Sequence, residues 1–328
     1  QYSIDKRNSE ALSKFVRKGN RFPLSGRGDV NTYALFTELG RFLSSVEGRV
    51  GLIVPTGLVT SDTYKGFFKD LVDTSELVSF IGFINSRKIF PAVKDYIQFA
   101  LLTLGKATEV KFAFMLKDVD QIDDLIRPFA LSPKELALLN PNTYTCPIFR
   151  TRIDADLTKK VYRRVEVLQN ESNGENPWQV SFQRIFDMSN DSHLFFREPG
   201  PGRVPLFEGK MIHQFDHRYG TYEGATQANV NEGNLPRTTA FQKADPGFST
   251  LPRYWVQATE VKARLGSWPR RWLLAFRRIS SAVFDRTSIF SIIPWSGSGD
   301  GSPVLLSDQT TPLLACLLAN FNSLVLDF

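Results

Sequence analysis

At 328 residues, with 42% hydrophobic and 12% aromatic side chains and 27 phenylalanines, the chain has material for two domains of ordinary size, and its composition excludes disorder. No apolar run approaches the roughly 18 to 20 residues of a membrane span. The opening "QYSIDKRNSE" lacks the hydrophobic stretch of a signal peptide, so a soluble, cytoplasmic protein with no membrane partner is expected.

The formal net charge of +6 is unevenly spread, with nine basic and five acidic side chains in residues 1–50 and eight and three in residues 251–300. Such clusters are either solvated faces or a polyanion footprint. In chain order, "TYALFTELGRFLSSV" (32–46) sets Leu35, Leu39, Phe42 and Leu43 at helical spacing, which predicts a helix packed on a sheet through that face. "RVGLIVP" (49–55) is a continuous apolar run, the pattern of a central strand covered on both faces. A loop broken by Pro55 and Gly57 leads into "SDTYKGFFKDLVDTS" (61–75), a helix opened by a Ser61 or Asp62 cap. "ELVSFIGFIN" (76–85) and "DYIQFALLTLG" (95–105) follow as strands separated by the loop "SRKIFPAVK" (86–94). Helix, strand, helix, strand, strand is the closing half of an α/β sheet that ends in an antiparallel pair.

"LSPKELALLNPNTYTCPIFRT" (131–151) reads as a connection leading out of this first domain, and "DADLTKKVYRRVEVLQ" (154–169) as a helix beginning the next. The boundary is therefore expected near 145/146. Residues 170–260 are rich in Gly, Pro, Asn and Thr, with short strand-like pieces such as "VPLFEG" and "YWVQ", and "RWLLAF" comes after them. That texture predicts a mixed domain with long polar loops, where recognition residues tend to be carried.

Several motifs are weaker than they look. "GSGDG" (297–301) comes after the strand-like "SIFSIIP", but a dinucleotide loop must open a helix, and the next residues are "SPVLLSD", so a plain loop is expected. "NPNTY" (140–144) and "NPWQ" (176–179) lack the second proline of an Asn-Pro-Pro-aromatic motif and fall after the strands. Cys146 and Cys316 sit in apolar surroundings, too few for a disulfide framework or a four-ligand metal site, and read as buried free thiols. "HQFDH" spaces His213 and His217 around Asp216, with His193 elsewhere, and no third ligand stands at a metal-binding spacing.

"NTYALFTELGRFLSSVEGRVGLIVPTGLVTSDTYKGFFKDLV" (31–72) followed by "INSRKIFPAVKDYIQFALLTL" (84–104) resembles the later catalytic motifs of γ-class adenine-N6 DNA methyltransferases of the TaqI type. "REPGPGRVPLFEGKMIHQFDHR" (197–218) resembles the opening of their target-recognition domain. "RWLLAFRRISSAVFDRTSIFSIIP" (271–294) and "LLACLLANFNSLVLDF" (313–328) are similar to later segments of that domain in large restriction-modification and phage-defence methylases. The resemblance covers the chain from about residue 30 onward, and the order of the motifs is its most specific feature.

In that family the glycine loop for S-adenosylmethionine and the Asn-Pro-Pro-aromatic motif precede the "YALFTE" helix, and neither is present here. The resemblance therefore implies an N-terminal half that this chain lacks, with "NSLVLDF" ending in mid-helix, and no methyl transfer by this chain alone. It also implies that Phe90 matches the place of a base-stacking aromatic. Lys210, His213, His217, Arg218, Arg270, Arg271, Arg277, Arg278 and Arg286 are candidate donors to the phosphates and base edges of double-stranded DNA.

The fold expected is α/β: the C-terminal half of a Rossmann-like methyltransferase sheet (1–145), then a mixed α+β target-recognition domain (146–328). The expected function is part of a site-specific DNA adenine-N6 methyltransferase. A non-catalytic interaction module of a defence complex is the alternative, and a metabolic enzyme with its own dinucleotide site a distant third.

Overall fold

The structure, a computed structural model, describes residues 1–280 and 285–327. Residues 281–284, inside the second of the segments resembling a recognition domain, and Phe328, at the end of the third, lie outside the described residues. The chain divides into two compact units, Gln1–Glu175 and Asn176–Phe328.

In the first unit, helices α1 (Tyr2–Lys18) and α2 (Thr32–Leu43) precede strand β1 (Val50–Val54), the short helix α3 (Gly57–Thr60) and helix α4 (Lys65–Asp73). Ser61 caps the turn before α4 by accepting from the Thr63 N–H. Strands β2 (Leu77–Ile84), β3 (Gln98–Leu104), β4 (Val110–Leu116) and β5 (Phe129–Leu131) complete a five-stranded sheet of order β1-β3-β2-β4-β5. β2 and β3 are the antiparallel pair expected from the sequence, with Phe80 opposite Leu102. Strand alternation gives the sheet two apolar faces. Phe80, Leu102, Leu104 and Phe112 point to the larger core with Phe67, Phe68 and Leu71 of α4, whereas Ile81, Phe83, Phe99 and Leu116 form a smaller one.

Three expectations change. β1 is an edge strand among the described residues, and its exposure alternates, with Val54 buried and Ile53 58% exposed. The apolar run of β1 fits two covered faces, but described elements cover only one. The buried side of α2 is Ala34, Thr37 and Glu38, while Phe42 and Leu43 are exposed. The polar Glu38 is admitted because its carboxylate accepts from the Leu24 and Ser25 N–H groups at 3.1 and 2.9 Å. Gly40 lets α2 approach β1, since a Cβ there would stand 3.0 Å from the Val50 side chain.

The segment expected to lead out of the domain is also part of this unit. It forms α5 (Pro133–Leu139), opened by a Ser132/Glu135 capping box, and its Leu136, Leu139, Cys146 and Phe149 enter the core. Helix α6 (Arg152–Tyr162), expected to begin the second domain, is tied to α5 by Lys159 and Arg163 on Glu135 at 3.4 and 3.2 Å. The division thus falls after residue 175, later than the expected 145/146.

The second unit holds strands β6 (Val180–Gln183), β7 (Arg203–Phe207), helices α7 (Gln227–Glu232) and α8 (Ala240–Ala244), then β8 (Trp255–Gln257) and α9 (Ala258–Leu265). It continues with β9 (Trp272–Phe276), β10 (Phe290–Pro294), β11 (Gly297–Ser298), β12 (Val304–Ser307), α10 (Thr311–Phe321) and α11 (Leu324–Asp327). An antiparallel sheet β10-β9-β12-β6 and a smaller sheet β11-β7-β8 share a core of Phe186, Leu206, Met211, Val256, Leu273, Ile293 and Val304. α10 buries Leu314, Leu317, Leu318 and Phe321 and leaves Cys316 exposed, so only Cys146 is the buried thiol expected.

Candidate nucleic-acid interface

Phe90 lies on the loop between β2 and β3, and one buried side chain shapes that loop. Asn85 is wholly buried where β2 ends. Its amide nitrogen donates to the Phe90, Val93 and Lys94 carbonyls at 3.0, 2.9 and 3.3 Å, and its amide oxygen accepts from the Phe90 N–H at 2.9 Å. The turn is completed by Lys88 in the left-handed region, φ +56°. Phe90 is held edge-on against Phe99 with ring centroids 4.8 Å apart, Phe99 stacks on Phe83, and 37% of Phe90 stays exposed. One edge of the ring is anchored while part of it faces solvent.

In the second unit a cavity of about 1020 Å³ brings together Lys210, His213, Arg277 and Arg286 of the nine candidate residues. Arg237, Tyr219, Glu232 and Asn234 also line it. The centre of the wall is Tyr219, whose ring takes the guanidinium of Arg237 at 4.9 Å and of Arg277 at 5.5 Å and lies 4.6 Å from the His213 ring. His217, Arg218, Arg270, Arg271 and Arg278 do not line the cavity.

Hydrogen bonding sorts the cations into two kinds. Arg277 donates to the Gly209 and Ile212 carbonyls at 2.9 and 2.7 Å, Arg218 to those of Lys243 and Asp245 at 3.0 and 3.1 Å, and Arg270 to Ser307 and Gln309 at 2.8 and 2.5 Å. Arg286 pairs with Asp327 and donates to the Asn322 carbonyl. These four hold loops and strand ends together. Lys210 is neutralised by Glu208 at 3.3 Å and lies over Tyr222, whose hydroxyl donates to Glu208 at 2.8 Å. Arg278 reaches Asp300 only at 3.7 Å, and Arg271 makes no side-chain hydrogen bond among the described residues.

Two of the candidate histidines sit where the cationic form is disfavoured. Burial, then the charges of Arg277 and Arg237, hold His213 below its ordinary value, and burial, then Arg218, does the same to His217. The "HQFDH" stretch is a tight loop in which the His213 N–H donates to the Asp216 carbonyl at 2.7 Å, with the Asp216 carboxylate held by Lys243 at 2.5 Å. His193 is exposed elsewhere in the unit.

Sequence reasoning missed Asn85 and Arg237. A polar residue closing the apolar run "LVSFIGFIN" is the one available signal for Asn85. Arg237 stands alone in a polar loop, and only the pairing of Thr221 with Pro236 and Thr238 with Tyr219 brings it over the ring.

The residues present do not fit S-adenosylmethionine. No glycine loop opens a helix among the described residues. In "GSGDG", Gly297 and Ser298 pair with Leu206 and Phe207 as a strand, Gly299 and Ser302 close a turn, and the next regular element is β12. Asn140 and Asn176 bind within their own loops, to Thr145 and Val180.

No family model matches the chain. Over 196 residues, 60% of this chain, it is 26% identical to the endonuclease MutS2 of Alkaliphilus metalliredigens (strain QYMF), a match that spans 23% of that protein. Among solved structures it is similar to a type I restriction-modification system methyltransferase subunit from Streptococcus thermophilus, at 18% identity and TM-score 0.31 over 40% of this chain and 34% of that one. It is similar to the type IIL restriction-modification enzyme MmeI in complex with DNA, at 10% identity and TM-score 0.44 over 88% and 37%. The type IIG restriction endonuclease BpuSI is a further similar structure, at 13% identity and TM-score 0.30 over 98% and 41%. The chain spans less than half the length of each of these proteins, and at TM-scores below 0.5 these likenesses carry no functional argument by themselves.

Among the described residues no helix is long and apolar enough to cross a membrane.

Proposed function

We propose that this chain is part of a site-specific DNA adenine-N6 methyltransferase of a restriction-modification or phage-defence system. Its second unit contributes recognition of the target sequence, and its first unit part of the pocket for the extruded base. The observation that supports this best is the Asn85-held loop. It keeps Phe90 partly exposed and edge-anchored at the position where the resembled family carries a stacking aromatic.

The chemistry assigns the rest to other groups. The exocyclic nitrogen of adenine is a poor nucleophile because its lone pair is delocalised into the ring, so acceptors must take its hydrogens and hold it in line with the methyl donor. S-adenosylmethionine supplies the electrophilic methyl group when bound, and on this reading the missing N-terminal half seats it and grips the amine. This chain's part is stacking: taking the base out of the duplex costs a few kcal/mol, which contact with Phe90 helps to offset. The open edge of β1 and the exposed Phe36, Phe42 and Leu43 of α2 suit a surface for that missing half.

The test measures duplex binding and transfer of tritiated methyl groups, with and without the N-terminal half. The chain alone is expected to bind duplexes with an affinity that falls steeply with salt and to transfer nothing. With the missing half it is expected to methylate adenine. In that enzyme Phe90→Ala should lower transfer by roughly 1 to 3 kcal/mol, the worth of one base–aromatic stack, with duplex binding unchanged, and Phe90→Tyr should restore it. Transfer by the chain alone overturns the proposal. A chain that binds no duplex at low salt supports the second reading, an interaction module of a defence complex. That reading is favoured by one observation: Arg218, Arg270, Arg277 and Arg286 are already engaged within the unit.

A further inference from the structure

Phe215 lies in the middle of the tight 213–216 loop with φ +58°, a left-handed backbone that residues with a Cβ avoid and that a bulky one adopts only under constraint. Its side chain is also 61% exposed. Met115 and Tyr144, the other large non-polar or aromatic residues with positive φ, are half-buried, and Tyr144 carries the Lys69 ammonium on its ring at 4.7 Å. For Phe215 both the backbone conformation and the exposure of most of the ring oppose folding.

The constraint comes from every side of the loop. His213 and Asp216 exchange backbone hydrogen bonds of 2.7 and 3.0 Å, and the Phe215 N–H donates to the Phe290 carbonyl at 3.1 Å. The side-chain amide of Gln214 donates to the Ser288 carbonyl at 2.8 Å, and Asp216 is fixed by Lys243 at 2.5 Å and by the Arg218 N–H at 2.9 Å. The ring is therefore presented on a rigid mount. Two residues away, His213 lines the cavity with Tyr219, Arg237 and Arg277.

We propose that Phe215 is a wedge for duplex DNA: its ring inserts against a base step and partly unstacks it, beside the cavity that Tyr219, Arg237 and Arg277 line. This rests on the duplex-binding reading of the second unit. A base step is the occupant these surroundings suit. The sequence neighbours Gln214, Asp216, His217 and Arg218 are polar and can hydrogen-bond to the sugar-phosphate backbone or base edges flanking an inserted ring. A base offers a π-face to a single ring whatever its identity, and apolar wedges beside cations are a recurrent means of kinking a duplex.

The strain supplies the test, because glycine adopts the same backbone without a steric cost. Duplexes recovered by the chain from a randomised pool at low salt are probed for affinity and for permanganate reactivity, which marks unstacked thymines. The wild-type chain is expected to create reactive thymines. Phe215→Gly should melt no lower than wild type, bind roughly five- to a hundred-fold more weakly, as expected for one lost base–aromatic stack, and leave the thymines silent. Phe215→Tyr should restore both. A Phe215→Gly chain with wild-type affinity and reactivity overturns the proposal, as does one that melts lower, since the ring would then belong to the packing. Duplex bound by the wild type without reactive thymines overturns the wedge alone. If the wild type binds no duplex, the duplex-binding reading falls and the wedge with it.

Discussion

Both units have a hydrophobic core, but the second also ties its long loops together with arginines. In residues 1–175 the core is a stack of phenylalanines and aliphatic residues on one sheet, and Arg41 pairs with Asp70 and Glu76 at its margin. In residues 176–328 the strands are short and the loops long, and arginines reach inward to backbone carbonyls of loops and element ends. A long loop leaves carbonyls unpaired, and a guanidinium with five donors closes several at once. The same residue type thus serves as internal scaffold and as external charge within one unit, and a count of basic residues overstates the charge free to meet a polyanion. All five tryptophans and all three histidines lie in the second unit, so its tryptophan fluorescence reports on it alone.

That asymmetry gives the largest expected effect. Phe112 is fully buried and packs against Phe68, Phe114 and Phe129. Phe112→Ala should therefore cost the first unit about 3 to 5 kcal/mol. If the two units unfold independently, far-ultraviolet circular dichroism will show an early loss of structure while tryptophan fluorescence keeps its wild-type transition. A single transition seen by both probes would break the comparison.

The next effect sharpens the division between scaffold and free arginines. Arg277→Ala removes the charged donor from the Ile212 carbonyl and leaves the Gly209 carbonyl with the Ile212 N–H alone, at a cost of about 1.5 to 3 kcal/mol for bonds to a charged group. Arg271→Ala removes an exposed side chain without such bonds and should stay within about 0.5 kcal/mol of wild type. Urea unfolding monitored by tryptophan fluorescence checks both. Equal midpoints for the two variants would mean that Arg277 is as dispensable to the fold as Arg271.

The regular parts of both units are legible in the sequence, and the irregular contacts are hidden from it. "LVSFIGFI" and "QFALLTL" announce a strand pair because a period of two and apolar content are local properties. "RVGLIVP" misleads because coverage of a strand depends on what stands beside it, and the same run serves at a centre or at an edge. In α2 the helical spacing is legible but the buried face is not, because Glu38 is buried by virtue of Ser25 and Leu24, more than ten residues away. The site obeys the same rule. Lys210 and His213 are recognisable as a cluster in one short stretch. That Arg277 faces inward and Arg237 faces the cavity depends on pairings 65 and 17 residues distant in the chain, which no local pattern encodes.

The smallest expected effect separates the units by pH. His213 and His217 are held below their ordinary value of 6.5, first by burial and then by neighbouring arginines. As pH falls through that value the unfolded chain takes up protons that the folded one refuses, so stability falls with pH from about 6.5 downward. In the first unit the shifted acids behave differently. Glu76 is pulled below its ordinary 4.5 by Arg41 and Lys106 against the opposing effect of burial, and Glu135 by the Ser132 N–H and Lys159, again against burial. Their contribution is complete above 4.5 and is lost only as pH drops below it. Between pH 7.5 and 5.5 the urea midpoint read by tryptophan fluorescence should therefore decline, and the early transition isolated in Phe112→Ala should hold still. Replacing both histidines by glutamine should flatten the decline in the second unit. A decline that persists in that double variant would show that other groups of the second unit carry it, and a shift confined to the first unit would reverse the assignment.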